Sequence, residues 1–182
     1  MGLFYVIRHC EAEGQAPGAP LTAAGRAQAE RLAGQLAGLG LRRIIASPYR
    51  RAVETAEPLA RRLGLPVETD ERLVERVLAG ESLPDWREKL AQTFADPDLC
   101  FAGGESSRQA AARGMAAVEA ALAAAEGVPF ALVTHGCLAT LLLRAVDPAI
   151  GFADWERMTT PDVYRVTVSG PESRVDRMWS GR

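Results

Sequence analysis

The chain opens on an apolar run, Leu3 to Ile7, that stops abruptly at Arg8 and His9. A run this short and this apolar predicts a buried strand over Leu3–His9, ending in a polar turn. Residues 11–20 are rich in Gly, Pro and Ala and read as a loop. Thr22 then supplies an N-cap for a helix running to Leu39, with Gly40 as its stop. "RRIIAS" (42–47) repeats the short apolar pattern and predicts a second strand. Pro48, at a first helical position, opens a helix to Leu63 that Gly64 ends. A third, short strand is expected over 66–68. Polar and turn-forming residues dominate 81–104, where Ser82 before Pro84 predicts a short helix and Asp96-Pro97 and Gly103-Gly104 predict turns. An alanine-rich helix follows over Glu105–Glu126. "PFALVT" (129–134) is another buried strand, and helix returns over Cys137–Val146. Two final runs, 163–168 and 174–179, flank "SGPES" and predict an antiparallel pair.

Strands that alternate with helices define an α/β protein, a three-layer α/β/α sandwich with a mostly parallel central sheet. Its 182 residues fit one domain, 1–182, with 81–104 as a cap insertion. At 48% hydrophobic and 24% charged the balance is that of a globular chain. The formal net charge of −2 offers no basic field for nucleic acid, so no nucleic-acid partner is expected. The first apolar run is too short for a signal peptide or a membrane span, so no membrane partner is expected either. Cys10, Cys100 and Cys137 are odd in number and widely spaced, which suggests neither a disulfide framework nor a zinc site, and a reducing cytoplasm is the simplest setting. Oligomeric state is not legible.

In open parallel sheets, ligands bind beyond the carboxyl ends of the strands. Three such ends carry chemistry: Arg8-His9, Ser47 followed by Arg50-Arg51, and Thr134-His135-Gly136. His9 and His135 are the only two histidines, and each directly follows an apolar strand. A lone histidine is more often a satisfied core or surface residue; two at strand ends point to a site. The cysteines are weaker nucleophile candidates. Cys10 lacks the C-x5-R pattern of a thiol that attacks phosphate, and Cys137 has no identifiable base, so both are expected to be small buried residues. No metal-binding spacing, P-loop or G-x-S-x-G elbow occurs.

These residues also carry a resemblance. "YVIRHCEAEGQ", "LTAAGRAQAERLA" (21–33), "IIASPYRRAVETAEPLA" (44–60), "GGES" (103–106) and "VTHG" (133–136) stand in the order of five motifs of the histidine phosphatase superfamily, the phosphoglycerate mutase-like proteins. Any one is weak; five in order are specific and span nearly the whole chain. The resemblance implies a metal-free phosphatase that hydrolyses phosphate monoesters through a phosphohistidine on His9, without cofactor. It implies a phosphate pocket of Arg8, Arg51 and His135, with a backbone N–H from Gly136 and a contact from Gln15. Arg51 rather than Arg50 is chosen because the motif places Arg directly before Ala, here Ala52; Arg50 is expected on a solvated helix face. Arginine forks suit a phosphoryl dianion, and nearby arginines disfavour protonation of His9. The acid/base role falls to Glu75 in Leu73-Val74-Glu75, with Glu105 as competitor.

Three departures stand out. Cys10 replaces the family's Gly and either crowds the pocket or is a tolerated neighbour; the second is expected. Gln15 stands where Asn is common. "RVLAGESLPDW" replaces G-x-W-E-G after Glu75. The compact length favours a phosphatase acting on a small-molecule phosphate ester. A phosphoglycerate mutase-type transfer, or a weakened member that only binds phosphorylated ligands, is the alternative. Trp86 and Phe101 could set the substrate from 81–104, although core positions are the first expectation for both.

Overall fold

The structure is a computed structural model that describes residues 2–180; Met1, Gly181 and Arg182, the ends of the expected domain 1–182, lie outside the described residues. In chain order the main elements are β1 (Gly2–Arg8), α1 (Ala23–Leu36), β2 (Arg43–Ala46), α2 (Arg50–Leu63), β3 (Val67–Thr69), α3 (Trp86–Ala95), α4 (Ser107–Ala125), β4 (Phe130–Thr134), α5 (Gly136–Val146), α6 (Phe152–Arg157), β5 (Asp162–Val168) and β6 (Arg174–Ser180). One sheet has the order β3-β2-β4-β1-β5-β6. Its first four strands run parallel, while β5 is antiparallel to both β1 and β6. The expected α/β fold with a mostly parallel sheet is what forms, closed at one edge by the C-terminal antiparallel pair.

The strands at the centre are apolar on both faces, as a sheet covered on both sides requires. Along β1 the side chains alternate between two cores. Phe4 and Val6 join the cluster beneath α4 and α5, while Tyr5 and Ile7 join the cluster beneath α1 and α2. β4 alternates in step, with Phe130 and Leu132 on the first side and Ala131 and Val133 on the second. Phe4 and Phe130 are register partners and stack with centroids 5.4 Å apart, a cross-strand contact worth about 0.5–1.5 kcal/mol beyond its burial. A one-residue slip would exchange the two cores, so the register is strongly specified.

Element boundaries depart from the sequence reading in a few places. The first helix ends at Leu36 and tightens into a 3-10 turn over Ala37–Leu39 before Gly40, which is left-handed at φ 69°. Pro48 is not at the first position of α2. Tyr49 is extended at ψ 132°, and the helix starts at Arg50. That extra extended residue turns the Tyr49 ring onto His135, with centroids 5.0 Å apart. α4 begins at Ser107 rather than Glu105, because Ser106 and Gln109 form a reciprocal capping box. The short helix α6 was not expected at all.

The loop after β1 passes very close to α1. A Cβ built on Gly25 would stand 2.0 Å from the Glu11 carbonyl oxygen, so only glycine allows the approach. Thr22, the expected N-cap, accepts from the Gly25 N–H and donates to Glu11 Oε1. Replacing Gly25 with Ala should therefore lower stability by about 1–3 kcal/mol in urea unfolding, since backbone must move. Gly34→Ala on the same helix, with nothing within 4 Å of the new methyl, should raise it by about 0.5–1 kcal/mol. Equal effects at the two positions would contradict the close crossing at Gly25.

Candidate active site

The parallel strands end side by side. Arg8 is the register partner of Thr134 and Ala46 of Val133. Two further bonds carry the pairing past the strand ends, His9 N–H to Thr134 O (3.0 Å) and Ser47 N–H to Val133 O (2.8 Å). Backbone geometry thus fixes His9, Ser47 and His135 at one edge. The His9 and His135 rings meet edge to face, centroids 5.1 Å apart.

His9 is buried at 6% exposure. Its Nδ1 lies 2.7 Å from the Cys10 carbonyl oxygen, which can only accept, so Nδ1 carries the hydrogen. Nε2 is therefore a lone pair, and it accepts from Arg51 Nε at 3.1 Å. Burial lowers the His9 pKa to about 4; the Cys10 carbonyl opposes this, and the Arg51 and Arg8 charges add to it. Arg51 is 1% exposed and is held by the Gln15 and Ala16 carbonyls at 3.0 and 2.9 Å. Its guanidinium also sits 5.1 Å from the centre of the Tyr49 ring.

His135 is fully buried and caps the N-terminus of α5. Ser47 Oγ accepts from Tyr49 N–H (3.3 Å) and lies 2.8 Å from His135 Nε2. His135 Nδ1 is a buried atom with no partner among the described residues. Burial, then the neighbouring His9 and arginine charges, hold His135 well below the ordinary histidine range. Arg8 anchors one end of its guanidinium on the Met158 carbonyl (2.8 Å), while its Nε is also buried and unpartnered. Gly136 lies against this guanidinium, at a spot where a Cβ would come within 3.2 Å of Arg8 Cζ and Nε.

Glu75 bridges to the same edge. Its carboxylate accepts from the N–H groups of Cys137 (3.0 Å) and Leu138 (2.9 Å), in the first turn of α5, and from Arg76 N–H (2.8 Å). A helix N-terminus stabilises such a negative group. Glu75 and Gln15 line two adjoining cavities of about 520 and 360 Å³. Arg51 lines the first cavity; Arg8 and Gly136 line the second. Glu105, the competitor, is on neither wall; it pairs with Arg113 and accepts from Val77 N–H. Arg50 is exposed and pairs with Glu54.

The cysteine question is resolved by burial. Cys10 is fully buried among Leu21, Ala52 and Ala56, with its N–H on Thr55 Oγ1 (3.0 Å), and its φ is not positive. Its side chain belongs to the core and leaves the cavities free, and burial pushes the thiol up to about 12. Burial likewise raises the Cys137 thiol. Neither is a ready thiolate. Trp86 corrects the core expectation: it is 47% exposed and lines both cavities, because 81–104 folds α3 across their rim. Phe101 is half-buried under Lys89 and lines neither.

Several lining residues escaped the sequence reading. Arg76 directly follows Glu75, and Tyr49 precedes the paired arginines, so proximity to a motif was their only signal. Trp155 on α6 had none. Among the described residues no group of three or more His, Cys, Asp or Glu could hold a metal ion.

The parallel sheet sets a neutral histidine beside the buried Arg51 and the half-buried Arg8 at its carboxyl edge. The chain matches the model of the histidine phosphatase superfamily (branch 1) over residues 4–179 and belongs to that family. A probable phosphoglycerate mutase of Proteus mirabilis is 34% identical over 160 residues, 78% of this chain and 73% of its own. An uncharacterized protein of Mycobacterium tuberculosis is 35% identical over 146 residues, 72% and 71% of the two chains. The structure of a mycobacterial glucosyl-3-phosphoglycerate phosphatase superposes with a TM-score of 0.79 at 26% identity, covering 100% of this chain and 99% of that one. The relatives and neighbours named for an activity thus include both a mutase and a phosphatase.

The lowered pKa of His9 has a consequence for stability. In the unfolded chain the ring binds a proton near pH 6.5, in the folded one only near 4. The folded state is therefore favoured above pH 6.5, and that advantage is lost as pH falls towards 4. Between pH 7 and pH 4 the wild type should lose about 3 kcal/mol more unfolding free energy than His9→Gln. Parallel pH profiles for the two proteins would contradict the buried neutral ring.

Proposed function

We propose that the chain hydrolyses phosphate monoesters through a phosphohistidine on His9, without a metal. The observation that carries this reading is the state of His9: Nδ1–H is tied to the Cys10 carbonyl, and Nε2 presents its lone pair beside Arg51. On substrate binding the Arg51 N–H passes from Nε2 to a phosphoryl oxygen, which frees the lone pair. Arg8 Nε is a buried donor with no partner among the described residues; His135 Nδ1, unpartnered there as well, carries the hydrogen in this reading, and both take further phosphoryl oxygens. Charge-assisted donors of fixed geometry are what a phosphoryl transition state needs. The Gly136 N–H and the Gln15 amide complete the phosphate pocket in this reading.

The balance of the two steps is simple. Nε2 attacks phosphorus, the bond to the alcohol oxygen breaks, and protonated Glu75 gives that oxygen its proton. Ionised Glu75 then takes a proton from water, whose oxygen attacks phosphorus. The N–P bond breaks, its electron pair returns to Nε2, and phosphate leaves. The hydrogen bonds from α5 hold the carboxylate in place through both steps. Segment 81–104 acts as the cap that chooses the alcohol. Capture of the phosphohistidine by a second substrate hydroxyl in place of water would make a mutase, in line with the name of the Proteus relative. Among the described residues no helix is long and apolar enough to cross a membrane. A small-molecule ester in the cytoplasm is the setting this reading takes, with neither nucleic acid nor a membrane as partner.

The test is pre-steady-state hydrolysis of p-nitrophenyl phosphate in EDTA. Wild type should turn over and His9→Ala should not. Nitrophenolate leaves without a proton, so Glu75→Gln should keep a burst of about one product per enzyme while its steady rate falls roughly 100-fold. Loss of activity in EDTA, or persistent activity in His9→Ala, would overturn the mechanism. Faster isomerisation of 3-phosphoglycerate with 2,3-bisphosphoglycerate than phosphate release would favour the mutase.

A further inference from the structure

The short helix α6 is tied to the site through Arg8, whose Nη1 donates to the Met158 carbonyl just past the helix end (2.8 Å). The turn that carries this carbonyl is clamped in its own right. Asp162 is fully buried and is the register partner of Arg8. Its carboxylate accepts from the Thr159 N–H (2.9 Å) and from Arg177 Nε (3.0 Å). Arg177 Nη2 in turn reaches the Arg157 carbonyl (3.1 Å). The residues on both sides of Met158 are thus pinned, and α6 is held against Arg8. At the other side, Arg87 on α3 donates to Glu156 on α6 (3.1 Å).

One side chain of α6 faces the same place as Arg8. Trp155 lines the smaller cavity together with Arg8, Glu75 and Gly136. A Cβ on Gly136 would stand 3.2 Å from Arg8 Nε and 3.3 Å from Trp155 Nε1, so both nitrogens close on one side of that glycine. The indole is held on two flanks. It stacks on Phe152 with centroids 5.4 Å apart and meets Trp86 edge to face at 6.0 Å. An indole N–H can only donate, and Trp155 has no acceptor for it among the described residues. The buried Arg8 Nε lacks an acceptor there as well. A tryptophan N–H drawn away from bulk water normally finds a partner. Two donors without one, side by side at the glycine that opens α5, call for a shared oxygen.

Resting on the phosphatase reading above, we propose that Trp155 Nε1–H is a further donor of the phosphoryl pocket, bonded to the phosphoryl oxygen that Arg8 Nε takes. The indole brings a donor without a charge, so it grips the dianion and adds no cation beside His9. Its ring covers that side of the oxygen with apolar surface, which strengthens the bonds made there.

Inorganic phosphate reads this contact in the intact protein. The chain has three tryptophans, Trp86, Trp155 and Trp179, and so three indole N–H resonances. Spectra of Trp86→Phe and Trp179→Phe identify two of them and leave the third as Trp155. On titration of wild type with phosphate, the Trp155 indole hydrogen should move to lower field and saturate together with the amides of His9 and Gly136. The indole of Trp179, packed against the core beneath α1 and α2, should stay where it is. Trp155→Phe, which keeps an aromatic ring and removes the N–H, should raise the phosphate Kd about 10-fold. A Trp155 resonance that stays still while the His9 and Gly136 amides move, or a phosphate Kd unchanged in Trp155→Phe, would overturn the donor and leave the phosphoryl site standing. The wild-type titration decides the matter if Trp155→Phe does not fold. No movement of any of these resonances, with phosphate or with orthovanadate, would overturn the phosphoryl site and the donor with it.

Discussion

Everything at the site hangs on the parallel register of β1 against β4. Pairing Arg8 with Thr134, and continuing through the His9 N–H to the Thr134 carbonyl, sets two histidines far apart in sequence ring to ring. No side-chain contact could hold them so closely; ladder hydrogen bonds at a fixed spacing can. The same register divides Phe4 and Val6 from Tyr5 and Ile7, so the packing of both cores and the geometry of the site are one constraint. A slip that spoiled the site would also bury the wrong faces, which is why the arrangement is robust.

Burial then does chemical work. Polar atoms are normally paired when they leave water. Arg8 Nε and His135 Nδ1 are exceptions among the described residues, and in the proposed reaction both meet phosphoryl oxygens. In that reading their desolvation is recovered only with an anion in place. Burial also keeps His9 neutral, so in the proposed reaction it needs no separate base to deprotonate it. Glu75 links the segment after β3 to the start of α5, satisfying helix N–H groups that would otherwise be orphaned. One carboxylate thus both caps the helix and lines the cavity.

Much of this was legible along the chain. Short apolar runs ending in polar residues marked the strands, and a strand end is where an α/β sheet presents chemistry; His9, Ser47 and His135 follow directly. Motif order located Arg8, Arg51 and Glu75, and the structure brings all three to one pair of cavities. Trp86 was misjudged, since hydrophobicity alone favours burial and nothing local reports that α3 lies across a rim. Trp155 was invisible, because a six-residue helix leaves almost no periodic signal. Cys10 raised a concern that only its neighbours could answer: its side chain points into the α1–α2 core.

What the sequence by itself determined is therefore local and periodic: which segments are strands, which residues end them, and which donors and nucleophile are at hand. Those follow from side-chain alternation and turn chemistry within a few residues. Tertiary structure alone decided the tautomer of His9, which of Glu75 and Glu105 reaches the cavity wall, the burial of Cys10 in the core and the contact of Trp86 with Trp155. Each of these depends on a partner distant in sequence, such as a carbonyl, a helix start or a facing ring, and proximity of that kind exists only once the chain has packed.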